Sequence, residues 1–159
     1  MVKRLATLLL LVASSSTFAQ NEQADSVMQV VLDALTLNEH RISGNLDSVL
    51  TSGTWEALAY WDMSTPATTE SLNEAVGDRY RFHDGRFNID FVNPENPRQI
   101  GLSVSGYYVR RGYLIEMFKQ INSRKETIEI WYADDRYLVI ESDRMRIFLT
   151  HESSYYLED

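Results

Sequence analysis

From Gly53 onward, apolar and polar residues alternate in short runs, and each run is closed by a turn signal. The first run, Gly53 to Asp62, puts Trp55, Ala57, Ala59 and Trp61 on one side and Glu56, Leu58 and Tyr60 on the other. That period of two predicts a strand with one buried face. Arg79 to Phe82 and Arg86 to Phe91 form the clearest hairpin, with Tyr80, Phe82, Phe87, Ile89 and Phe91 inward and the turn pair Asp84-Gly85 between the arms. Further strands follow at Gln99–Ser105, Tyr107–Arg110, Tyr113–Phe118, Glu126–Tyr132, Arg136–Glu141 and Arg144–Thr150. Gly106 marks a bend or bulge between two of them, and Asn93 to Pro97 interrupts the sheet.

Ahead of the strands the period changes. Val27, Val30, Val31, Ala34 and Leu35 recur at helical spacing within 21–39, which predicts an amphipathic helix whose stripe closes one end of the domain. Arg41 to Ser52 reads as a connector with a Gly44-Asn45 turn and a short helical turn over Leu46 to Leu50. Met63 to Asp78 reads as a loop leading into a short helix stopped at Gly77, placed across a mouth as a candidate lid. About eight strands joined by tight turns predict a mainly β fold: an up-and-down antiparallel barrel with an N-terminal amphipathic helix. A two-sheet sandwich is the second choice, because it needs longer crossovers.

Composition adds a compartment. Met1 to Ala19 has Lys3 and Arg4, an apolar run from Leu5 to Ala13, and small residues at Thr17 and Ala19, the pattern of a cleaved signal peptide. The run is too short to span a bilayer, so the expectation is a periplasmic or secreted protein. There is no cysteine, hence no lipid-attachment site, disulfide or thiolate metal site. The expected divisions are a signal peptide over 1–19, helix and connector over 20–52, a barrel over 53–151 and a tail over 152–159. Removing Lys3 and Arg4 takes the formal charge from −8 to −10. Such acidity disfavours nucleic acid and anionic membranes and suits basic partners.

Several stretches together resemble the lipocalin-like barrels, especially small bacterial members. Gly53-Thr54-Trp55 is similar to the lipocalin Gly-x-Trp at the head of the first strand. The segments Arg79 to Phe87, Gly106 to Gly112 and Glu126 to Ile140 resemble later hairpins of that type. The resemblance implies a last-strand arginine, Arg144 or Arg146, lying over the Trp55 indole. It also implies a small apolar or amphipathic ligand inside the barrel. The short segment after the last strand departs from the family pattern, which has a long helix there.

An eight-stranded barrel is wide enough either to hold one small ligand or to be filled by side chains. Trp61, Tyr80, Phe82, Phe87 and Tyr108 are the candidate ligand wall under the first choice and a plug under the second. Alternation through Tyr108 sends Arg110 inward, toward Glu116, Glu129 or a bound acid, unless the turn exposes it. No catalytic motif is present. Gly101 to Gly106 lacks the glycine of a hydrolase elbow, and His40, His83 and His151 lack metal-ligand spacing. No cofactor or metal is therefore expected. The first functional expectation is a ligand-binding barrel; the alternative is an acidic interaction or inhibitor protein with a filled interior and a basic partner; an enzyme is third.

Overall fold

The computed structural model describes residues 27–75, 77–122 and 124–152. Its elements are α1 (27–35), β1 (Arg41–Ile42), α2 (Leu46–Leu50), β2 (Thr54–Asp62), β3 (Leu72–Glu74), β4 (Arg79–His83), β5 (Arg86–Asn93), β6 (Asn96–Arg111), β7 (Leu114–Lys119), β8 (Lys125–Ala133), β9 (Tyr137–Ser142) and β10 (Met145–His151). Eight of the strands form a closed antiparallel meander in the order β2, β4, β5, β6, β7, β8, β9, β10, with β10 returning to β2. Closure pairs each of these eight strands on both sides, and it removes the sandwich alternative. The predicted leader and most of the predicted tail lie outside the described residues.

Turn chemistry places the strands as expected. Asp84 and Gly85 have φ of 48° and 70°, the positive values that a two-residue hairpin turn needs. Gly106 has another role. Strand β6 runs through it without a break, and glycine is needed there because a Cβ would overlap the Phe118 carbonyl oxygen on β7.

Two β-bulges decide which residues face inward. Leu149 pairs with Ala57 and Phe148 with Ala59, so β2 carries one extra residue at Leu58 and its faces exchange there. Trp55 and Ala57 belong to the interior cluster, whereas Ala59 and Trp61 belong to a second cluster with Val31 and Leu35 of α1. A matching shift between Ile130 and Tyr132 on β8 sends Trp131 and Tyr132 to that second cluster as well. Single-phase alternation across 53–62 is thus replaced by two phases.

The second cluster explains where the helix goes. Ala59, Val139 and Phe148 make an apolar outer face on β2, β9 and β10, and α1 covers it. The helix therefore packs on the outside of the barrel instead of closing an end, and Val30 stays exposed. The end is closed by α2. Asn45 caps it, its side chain accepting from Asp47 N at 2.9 Å and Ser48 N at 3.1 Å, while Leu46 and Leu50 are buried in the interior cluster.

The expected helix after Met63 is also corrected. Thr69–Ser71 forms a single 3-10 turn, and Leu72–Glu74 pairs with Ala59–Trp61 as β3. Pairing with the upper half of β2 uses backbone groups that β4, bonded only to Thr54–Glu56, leaves free.

On the outer face, Asp90 is buried beside Arg81, Ser103 and Asn88, tying β4, β5 and β6 together. Burial raises its carboxyl pKa, but hydrogen bonds from Ser103 and Asn88 and the Arg81 charge outweigh that and leave it lowered. A depressed folded-state value means stability that is present above the unfolded pKa and lost as pH falls through the folded one. Asp90→Asn is expected to lower stability at neutral pH by about 1–3 kcal/mol. It should also flatten the acid limb of a stability-versus-pH curve measured by denaturant unfolding.

Candidate functional site

The two ends of the barrel differ. At the α2 end the interior is solid: Trp55, Phe82, Phe87, Ile115, Ile130 and Leu138 are all buried. The Trp55 indole N–H donates to Leu50 O at 3.4 Å, and the His151 ring meets it edge-on at 5.1 Å. Gly53 makes room for that ring, since a Cβ there would lie 2.9 Å from His151 Nε2. Tyr108 reaches into the same cluster and meets Phe82 edge-on at 5.3 Å.

Arg110 sits at this closed end. Its guanidinium donates to both carboxylate oxygens of Asp47, at 2.5 and 2.6 Å, and to Gly112 O at 2.6 Å. The partner is thus Asp47 of α2, not Glu116 or Glu129, and the fork fixes α2 over the barrel floor. The Asp47 carboxyl is held below the usual range by its hydrogen bond with Arg110, a gain that outweighs desolvation. Glu116 instead pairs with Lys125 on the outside.

The arginine expected over Trp55 lies elsewhere. Arg146 places its guanidinium carbon 3.9 Å from the Trp131 ring centre and pairs with Glu141 at 2.8 Å. It donates to Leu35 O at 2.9 Å and to Leu37 O, so it also satisfies carbonyls at the end of α1. Residue parity accounts for this: Phe148 on the same strand faces the helix, and Arg146 is two positions away. Arg144 is exposed.

At the opposite end the barrel has a mouth. Phe91, Val104, Ile147 and Ala75 pack against the interior cluster but are only partly buried, and Leu102, opposite Phe91, is 53% exposed. The same end carries polar groups. Glu126 lies opposite the inward Met117 and binds Lys119, and it accepts from Ser142 Oγ at 2.7 Å. Burial raises the Glu126 pKa, but the Lys119 and Ser142 hydrogen bonds and the Lys119 charge outweigh it and leave it lowered. Asp78 continues the inward parity of β4, and its Oδ1 accepts from Val92 N at 2.9 Å. Burial raises the Asp78 carboxyl pKa, with the Val92 N–H as partial compensation.

Tyr80 stands between these groups. Its side chain is 7% exposed, and its pKa is pushed well up by burial and by the charges of Asp78 and Glu126. The phenol is therefore neutral and close enough to feel carboxylates from two strands on opposite walls.

Of the five expected wall residues, Tyr80, Phe82, Phe87 and Tyr108 share the interior and Trp61 lies outside under α1, while Arg110 seals the closed end. The mouth residues Asp78, Lys119 and Glu126 were not among them. Parity was their available signal: Asp78 is in phase with Tyr80, Lys119 with Met117, and Glu126 with Ile128. Among the described residues there is no cluster of three or more metal-binding side chains, and no helix is long and apolar enough to cross a membrane.

The geometry defines a lipocalin-like barrel: eight antiparallel strands in sequence order that close on themselves, with a short helix over one end. A lipocalin-like protein from Bacteroides uniformis ATCC 8492 is similar at 15% identity and a TM-score of 0.49, over 62% of this chain and 94% of that one. An uncharacterized protein from Bacteroides eggerthii DSM 20697 is similar at 13% identity and a TM-score of 0.49, over 62% of this chain and 98% of that one. No family model matches the sequence, and no match was found among curated proteins.

Proposed function

We propose that this is an exported lipocalin-like protein that binds a small apolar or amphipathic molecule at the barrel mouth. The observation that carries this reading is the asymmetry of the interior. Side chains fill the closed end, while at the other end apolar residues are left half-covered above convergent polar groups. Mostly apolar concavities with a few placed polar groups are the usual form of small-molecule sites. Export rests on the leader pattern of 1–19, and the periplasmic or secreted location follows from it.

The test is uptake of a neutral naphthylamine probe whose fluorescence rises in apolar surroundings. The mature protein should bind about one probe per chain, and Val104→Trp, which fills the mouth from β6, should abolish the signal while leaving the fold intact by circular dichroism. Uptake unchanged by Val104→Trp would place binding elsewhere and end this reading.

A second reading has its own observation. Tyr107, Val109, Leu114 and Phe118 are exposed together on the outer face of β6 and β7. That row supports the acidic interaction or inhibitor protein, with a basic protein as partner, and it predicts probe binding on the outer face instead of in the mouth.

A further inference from the structure

We infer that the mouth selects a ligand carrying a protonated primary amine on an apolar chain, with the Asp78 carboxylate as its counter-ion and the Tyr80 hydroxyl as its hydrogen-bond partner. The inference rests on the reading that the mouth is the ligand site, and it adds the chemical class.

Three independent features point the same way. First, Asp78 is partly buried, its carboxylate accepts among the described residues only from Val92 N, and it makes no ion pair with any of them. Burial of a carboxylate without a cation is costly, and a ligand ammonium supplies what the protein leaves out. Second, the Tyr80 side chain is more than nine-tenths buried, while its hydroxyl, which makes no hydrogen bond among the described residues, is not one of the fully buried polar atoms and keeps some solvent contact. Such a hydroxyl can accept from an ammonium N–H while its own proton turns toward a carboxylate. Third, the cation of the mouth is already used. Lys119 is bound to Glu126, and no ion pair among the described residues gives Asp78 a cation. The whole chain is net negative, at −8.

An acidic ligand meets the opposite conditions. The arginine that could have held its carboxylate, Arg110, is at the closed end and already doubly bonded to Asp47. An anion in the mouth would have to displace Glu126 from Lys119 and then lie near Asp78. The amine therefore enters first and deepest. Its chain lies along Phe91, Leu102 and Val104, which adjoin Asp78 and Tyr80 through the β4, β5 and β6 register.

The test uses three probes of equal length: octylamine, octanol and octanoate, titrated calorimetrically into the mature protein at neutral pH. Octylamine should bind at least tenfold more tightly than octanol, and octanoate more weakly than either. In Asp78→Asn the octylamine preference should fall to within about twofold of octanol, while octanol binding itself persists and reports an intact mouth. Tyr80→Phe should weaken octylamine severalfold and leave octanol unchanged, which keeps the inference testable should Asp78→Asn not fold. Equal affinity for all three probes, or a preference that survives in Asp78→Asn, would overturn the amine assignment and leave the mouth reading standing. Failure to bind any of the three would overturn both.

Discussion

Gly106→Val should be among the most damaging single substitutions in the barrel. The added Cβ would meet the Phe118 carbonyl oxygen at 2.0 Å and the Phe87 ring at 2.9 Å. The carbonyl belongs to the neighbouring strand, so it cannot move aside as the end of a flexible side chain could. Either β6 and β7 separate, breaking the Gly106–Lys119 pairing, or Phe87 leaves the packed interior. Overpacking ordinarily costs about 1–3 kcal/mol, and a clash with backbone belongs at or beyond the top of that range. Denaturant unfolding should show a large fall in midpoint. A near wild-type midpoint would mean that the two strands do not approach as closely as described.

Trp55→Ala is expected to cost about 3–5 kcal/mol, the usual range for emptying an aromatic site in a core. The indole is 0% exposed and packed among Leu50, Tyr80 and Leu149, and its N–H satisfies the Leu50 carbonyl of α2. Removal leaves a cavity at the floor and frees both α2 and His151, which rests edge-on against the ring. Trp61→Ala is the control, because Trp61 is only partly buried and lies under α1. Its loss should loosen the helix and cost less. Equal costs for the two, measured by urea unfolding, would contradict the division into an interior and an outer cluster.

The contrast between those two tryptophans also shows what the sequence could reveal. Hairpins with uninterrupted alternation were legible: Tyr80, Phe82, Phe87, Ile89 and Phe91 lie in the interior as their period requires, and Asp84-Gly85 turns the chain between them. The faces of β2 beyond Ala57 were not. An extra residue at Leu58 exchanges inside for outside, and nothing in the letters Ala-Leu-Ala-Tyr-Trp announces it, because both faces there contact apolar neighbours.

The same holds for the arginines. A cation over an indole was expected from the family resemblance, and one exists, but the bulge on β8 presents Trp131 to Arg146 on the outside. The Trp55 ring is met by His151 instead, which Gly53 admits. Arg110 is bonded to a carboxylate, but not to either of the two that its parity suggested. The supplier, Asp47, is sixty-three positions away in a connector that only the folded barrel brings to its floor.

The mouth was hidden for a different reason. Asp78, Lys119 and Glu126 lie at or just beyond the ends of strands, where polar residues are read as loop. Their inward direction follows only when alternation is extended past the last apolar residue. Recognising them needed the register of Met117 with Glu126 and the barrel closure that sets Tyr80 opposite β8.

The central claim, a barrel sealed at the α2 end and receptive at the other, is tested most directly by backbone and methyl NMR shifts during titration with the neutral naphthylamine probe. Perturbations should concentrate at Phe91, Val104, Lys119, Glu126 and Ile147, with Leu46, Leu50 and Trp55 silent. Shifts confined to Tyr107, Val109, Leu114 and Phe118 on the outer face, or none at saturating probe, would contradict it.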